Sequence, residues 1–147
     1  MSGPARWLEL SLGAELRAAR TVCGLLEVAL AALDLDPSLR HDVTLAVAEV
    51  VTNVVEHEYR VEGAGAGGQV RLRLEVAPDH LRVRVESQGP PFDLAAALRK
   101  AAQSDPLADL QGSGLGLILV NALFDEAESA HLPERGNVVT LVKRLAG

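Results

Sequence analysis

The stretch AEVVTNVVEHEYR, Ala48 to Arg60, breaks a run of valines at regular intervals with Glu49, Asn53 and His57. An α-helix turns once in about 3.6 residues, so steps of four set a carboxylate, a carboxamide and an imidazole along one stripe. The valines between them supply an apolar side, and the spacing predicts a helix with one face in a core. Two readings of the stripe stand at this point. The commoner is the wet side of an amphipathic helix. The other is chemical: Asn53 offers an oxygen to a hard cation such as Mg²⁺, which takes few protein ligands and completes its shell with phosphate and water. Glu49, one turn away, is then placed as a general base.

Working outward, the helix has a clean start in DLDPSLR, where Asp36 can cap free N–H groups and Pro37 suits the first helical position. It is expected to run to about Glu58. Upstream, Leu16, Val22, Leu25, Leu26, Ala29, Leu30 and Leu33 recur at helical spacing, predicting a helix from about Ala14 to Leu33. RWLEL before it reads as a short strand. Cys23, the single cysteine, has no internal disulfide partner and is expected to be a small buried hydrophobe.

Downstream, the Gly-rich EGAGAGGQ (Glu62 to Gln69) lacks the Lys-Ser/Thr ending of a P-loop and precedes an alternating run, so it is expected to be a connector. Val70, Leu72, Leu74 and Val76, then Leu81, Val83 and Val85, alternate around APDH and predict a β-hairpin. Arg71, Arg73, Arg82 and Arg84, with Glu75 and Glu86, fall on its other face, as on a solvated sheet. SQGPPFD makes a rigid turn, LAAALRKAA a short helix, QSDPLADLQ a polar segment, and GSGLGLILVNALFDEAE a further helix. A closing hairpin has arms near Glu126 to Leu132 and Val138 to Leu145, with PERGN between them. Helices and hairpins that segregate in this way predict an α+β fold, a two-layer sandwich.

Composition bounds the rest. The chain has 147 residues, 48% apolar and 23% charged, which suits one folded domain over 1–147. Aromatics are 3%, so the core must come from Val, Leu and Ala. A formal charge of −6, from 20 acidic and 14 basic residues, argues against nucleic acid as principal partner. With neither a cationic, apolar leader nor an apolar run of roughly 18 residues, the protein is expected to be cytoplasmic and off the membrane.

In GSGLGL, Gly112, Gly114 and Gly116 alternate with Ser113, Leu115 and Leu117 just before a helical run. Bare N–H groups at a helix start favour an anion, and missing Cβ atoms let phosphate approach. A tight loop packed on a sheet explains the same glycines. In order, the chain carries E-x-x-x-N-x-x-x-H on a helix, a hairpin ending in G-x-P-F-D, a variable segment, and G-x-G-L-G-L opening a helix. That order resembles the Bergerat-fold ATP-binding proteins: gyrase, heat-shock chaperone, histidine kinase and mismatch-repair ATPases. Within them it is most similar to the anti-sigma serine kinases of the RsbW and SpoIIAB type, from LRAAR through VTLVKRL. LAVAEVVTNVVEHEYR matches their signature helix, and GPPFD and GLGL their later boxes.

The resemblance implies a mixed, mostly antiparallel sheet covered by helices. It implies an ATP-dependent serine protein kinase that phosphorylates a small antagonist protein and binds a sigma factor, often as a homodimer. Asn53 would coordinate Mg²⁺ on the nucleotide phosphates, and Glu49 would activate the attacking hydroxyl. His57 would support the helix and lid. Gly112, Gly114, Leu115, Gly116 and Leu117 would lie against the phosphates, residues 94–111 would form the lid, and Ser87, Gly89, Pro91 and Asn137 would line the base end.

Two positions depart from the family. Its adenine-binding Asp, two residues before the turn glycine Gly89, is here Ser87; its Gly-Thr opening the last strand is Gly136-Asn137. With Val83 and Val85 inward, alternation turns Ser87 toward the pocket and Glu86 away, unless a bulge slips the register. Asn137 is a candidate to compensate, since a carboxamide both donates and accepts toward a purine edge. These departures leave a second expectation, a partner-binding module of the same fold with weakened nucleotide binding. A histidine-kinase catalytic domain is the poorest fit, because His41, at the start of the signature helix, cannot act as phospho-acceptor.

Overall fold

The computed structural model describes residues 4–13, 15–62, 68–91, 93–103 and 113–146, without the side chains of residues 16, 18–20, 58–62, 101 and 113–116. In chain order these form β1 (Arg6–Gly13), α1 (Leu16–Ala32), α2 (Pro37–Glu62), β2 (Gln69–Val76), β3 (His80–Ser87), α3 (Leu94–Gln103), α4 (Ser113–Leu123), β4 (Glu126–Leu132) and β5 (Gly136–Arg144). The strands make one sheet in the order β1-β2-β3-β5-β4. All four pairings are antiparallel, in keeping with the mostly antiparallel sheet expected.

The valine stretch does what its spacing requires. Val43, Ala46, Val47, Val50, Val51, Val54 and Val55 are buried at successive steps of three and four. Fully burying each valine contributes about 1.5–3 kcal/mol relative to exposure. α2 opens as expected: the Ser38 N–H and hydroxyl both donate to Asp36 Oδ1 at 3.0 Å. It continues past Glu58 to Glu62, the first residue of the Gly-rich segment. There Glu58 to Arg60 interrupt the apolar pattern without breaking the helix, because Glu and Arg are good helix formers. α1 ends in a Schellman turn, with Leu35 N–H donating to Leu30 O and Asp34 N–H to Ala31 O, both at 3.0 Å. Asp34 takes the left-handed conformation at φ 61°, and its carboxylate pairs with Arg6.

The helices lie on one side of the sheet: α1 packs on α2 and β1, α2 on α4, and α3 on α4 and β4. Facing them, register sets the inner side chains in rows across all five strands. The first row is Leu8, Leu74, Val83, Leu141 and Ala127; the second is Leu10, Leu72, Val85, Val139 and Ser129. The third row changes character midway: Leu12 and Val70, then Ser87, Asn137 and His131. One corner of the inner face is therefore polar. Cys23 is half-buried, not enclosed as expected, since it sits beside the exposed Gly24 and Leu25 on the outer flank of α1. No helix among the described residues is long and apolar enough to cross a membrane.

Candidate functional site

The α2 stripe is organised from within. Asn53 Nδ2 donates to Glu49 O at 2.8 Å and to Glu49 Oε1 at 3.2 Å. A carboxamide four residues on can reach both groups only because one helical turn separates them. The bonds tie the two side chains into one unit, and Asn53 Oδ1 accepts no hydrogen bond among the described residues. One turn further, His57 Nε2 lies 2.8 Å from Pro91 O. A carbonyl only accepts, so Nε2 is the donor in this contact. His57 thereby fastens α2 to the Gly-Pro-Pro turn.

The same turn is held from the sheet. Asn137 Nδ2 donates to Pro90 O at 2.6 Å and approaches Gly89 O at 3.3 Å and Ser87 Oγ at 3.4 Å. Its Oδ1 lies 3.1 Å from His131 Nδ1. Ser87 and Asn137 are only 2% and 3% exposed, on the polar row of the inner face. Glu86 points the opposite way, toward Arg71 at 4.0 Å and Arg135 at 3.9 Å. The register of β3 with both neighbours is unbroken, so the bulge that would bring Glu86 inward is not there. To read a purine edge, the Asn137 carboxamide would first have to release the turn.

Gly136 makes this corner possible. It has φ 77°, and a Cβ built on it would lie 2.3 Å from Ser87 O. Only a residue without a side chain lets β5 begin this close to the end of β3. Gln88 Nε2, donating to Arg135 O at 3.0 Å, closes the same junction.

The later boxes are partly described. Gly114, Leu115 and Gly116 fall in the first turn of α4, and Leu117, next along, is buried in the core. The first four N–H groups of a helix have no intrahelical acceptor, so these residues offer donors at the end of a helix that packs on α2. Gly112 and residues 104–111 of the expected lid lie outside the described residues. The described part, α3, is capped by Asp93, whose Oδ1 accepts from Ala96 N–H at 3.1 Å. It is pinned to β4 by Leu94 N–H donating to Ser129 Oγ at 3.1 Å.

Sequence reasoning missed His131. The signal was present in the closing hairpin: pairing Leu132 with Gly136 puts His131 directly across from Asn137. As for a cation, no group of three His, Cys, Asp or Glu side chains is placed to hold one among the described residues. A site here would use Asn53 Oδ1 with oxygens brought by a phosphate ligand, a donor set that suits Mg²⁺.

Residues 12–143 match the histidine kinase-like ATPase domain family. The serine-protein kinase RsbW of Halalkalibacterium halodurans is 36% identical over 107 residues, which cover 71% of this chain and 62% of that protein. RsbW of Bacillus cereus is 30% identical over 105 residues, covering 69% and 62%. The match thus spans less than two thirds of these relatives' length. A crystal structure of the RsbU and RsbW domains of a Mycobacterium tuberculosis protein superposes with a TM-score of 0.63 at 28% identity, over 95% of this chain and 32% of that one.

Proposed function

This chain belongs to the histidine kinase-like ATPase domain family, and from that premise we propose that it is an ATP-dependent protein-serine kinase acting as an anti-sigma regulator. Its substrate would be a serine on a small antagonist protein, its other partner a sigma factor, and its working form a homodimer. The observation that carries the reading is the Glu49–Asn53 unit, half-buried on α2 and one turn from the His57 anchor of the Gly-Pro-Pro turn.

In this proposal Asn53 Oδ1 holds Mg²⁺, which when bound neutralises phosphate charge. Glu49 accepts the proton of the attacking serine hydroxyl, and Asn53 Nδ2 keeps that carboxylate oriented. The α4 N-terminus, with Gly112, Gly114, Leu115, Gly116 and Leu117, receives the phosphates. Ser87, Gly89, Pro91 and Asn137 border the base. With no carboxylate facing inward at Ser87, recognition of the base rests on a neutral hydroxyl. That supports weaker adenine binding, and at its limit the second reading, a partner-binding module.

Calorimetric titration with ATP and ADP, with and without Mg²⁺ and with GTP as control, tests this directly. Mg²⁺-dependent binding of adenine nucleotides is expected; none at millimolar nucleotide would leave only the partner-binding module. Glu49→Ala should keep Mg²⁺-nucleotide binding and lose phosphotransfer, and equal turnover by the variant would refute the role of Glu49.

A further inference from the structure

The face of the sheet away from the helices carries its own cluster. Register sets Glu9, Arg73, Arg84 and Thr140 in one row, and Ser11, Arg71, Glu86 and Val138 in the next. Arg73 and Arg84 are direct cross-strand partners, a like-charge pair that costs a sheet stability. Arg73 is held: Nη1 donates to Glu9 Oε1 at 2.9 Å, and its guanidinium lies 4.2 Å from the centroid of the Trp7 ring. Arg84 makes no hydrogen bond or ion pair among the described residues.

Between them is a cavity of about 140 Å³ lined by Arg71, Arg73, Arg84 and Arg135 against only Glu9 and Glu86. Arg71 and Arg135 reach Glu86 at 4.0 and 3.9 Å, too far to hydrogen-bond. Four guanidiniums facing two carboxylates, on a chain of net charge −6, make a local positive patch with donor capacity to spare. The cavity is large enough to admit a carboxylate.

We propose that this face docks an acidic segment of a protein partner, with a carboxylate seated between Arg73 and Arg84. A planar guanidinium fork matches a carboxylate in a bidentate manner, and an anion between the two arginines converts their repulsion into a bridge. Trp7, 53% exposed beside Arg73, covers the apolar part of the segment. The overall negative charge repels an extended polyanion over distances that a short acidic segment does not sample, which favours a polypeptide over a duplex or a membrane. The site is on the opposite face from the proposed nucleotide pocket and does not rest on that function.

The test is fluorescence anisotropy of a labelled oligo-glutamate peptide with wild-type protein, Arg84→Gln, and Arg17→Gln as a charge-matched control on exposed α1. Wild type and Arg17→Gln should bind alike. Arg84→Gln should bind about ten-fold more weakly, and added salt should weaken the wild-type complex. Thermal unfolding of Arg84→Gln should be unchanged or higher, because the like-charge pair is gone. No wild-type binding, or equal weakening in Arg17→Gln, would overturn the proposal. Tighter binding to phosphatidylserine vesicles or to single-stranded DNA than to the peptide would overturn the acidic polypeptide as occupant.

Discussion

Replacing Asn137 with alanine removes the group that holds the Gly-Pro-Pro turn to the sheet. The loss can be worked from the contacts. The 2.6 Å bond to Pro90 O is the strong one, and the 3.1 Å contact with His131 is ordinary. Those to Gly89 O and Ser87 Oγ, at 3.3 and 3.4 Å, are longer than an efficient N–H···O bond. A net hydrogen bond contributes about 1 kcal/mol, and a buried acceptor left without its donor costs about 1–3 kcal/mol. Pro90 is half-buried, so water restores part of this, and the total comes to about 2–3 kcal/mol. For a chain of this size that lowers Tm by roughly 5–10 °C, measured by circular dichroism alongside urea unfolding. Asn137→Asp sharpens the test, since it keeps the shape but presents an acceptor to carbonyl acceptors. At neutral pH it should be less stable than the alanine variant, and it should recover in acid, when the protonated carboxyl can donate. If both variants stay within about 0.5 kcal/mol of wild type, the turn is held by something else.

Four further outcomes are expected. Gly136→Ala drives a Cβ to 2.3 Å from Ser87 O at φ 77°; the left-handed strain alone costs about 1–2 kcal/mol, so the unfolding midpoint should drop well beyond that. Gly24→Ala meets nothing within 4 Å on α1 and should stabilise by about 0.5–1 kcal/mol. Asp36→Ala should lower Tm at neutral pH, because the Ser38 N–H and hydroxyl hold the Asp36 carboxyl below its ordinary range. A depressed folded pKa gives stability that is present above the unfolded value and lost as pH falls through the folded one. The Tm gap between wild type and variant should therefore close in acid. Finally, Ser87→Asp with Asn137→Thr should tighten ADP binding by roughly ten- to a hundred-fold, the value of about 1.5–3 kcal/mol for a charge-assisted bond to the base.

What was legible in the sequence follows from periodicity. The seven buried apolar positions of α2 and the alternation of β2 and β3 announce their faces because a core admits only one phase of each pattern. The same alternation gave Ser87 inward and Glu86 outward, since β3 carries no bulge. The order β1-β2-β3-β5-β4 could not be read this way, because β5 inserts beside β3 through contacts between residues far apart in the sequence. His131 was missed although it is local: its meaning lies in its register with Asn137 across the closing hairpin, which the arms alone do not set. The Glu49–Asn53 pair was foreseen as a stripe, but which atoms bond depends on rotamers that spacing does not set.

The two departures from the family pattern, Ser87 and Asn137, behave as one change. The Asn137 amide has two N–H donors and faces three acceptors: the carbonyls of Gly89 and Pro90, and the side chain at position 87. A buried carboxylate at 87 would draw one N–H strongly, because a charged acceptor outbids a carbonyl, and the hold on the turn would weaken. A serine hydroxyl is a weaker competitor, as its longer 3.4 Å contact shows, and leaves the amide to Pro90 O at 2.6 Å. A threonine at 137 is one atom shorter in reach to the turn and has one hydroxyl donor, which suits a partner carboxylate and not two carbonyls. Ser87 with Asn137 is thus a self-consistent pair in which the turn is built into the sheet. Asp with Thr is the other consistent pair, in which the donor serves the carboxylate. The mixed combinations satisfy neither demand, so single substitutions should each cost more than the double, with a coupling of the size seen for side chains sharing one hydrogen-bond network, about 0.5–3 kcal/mol.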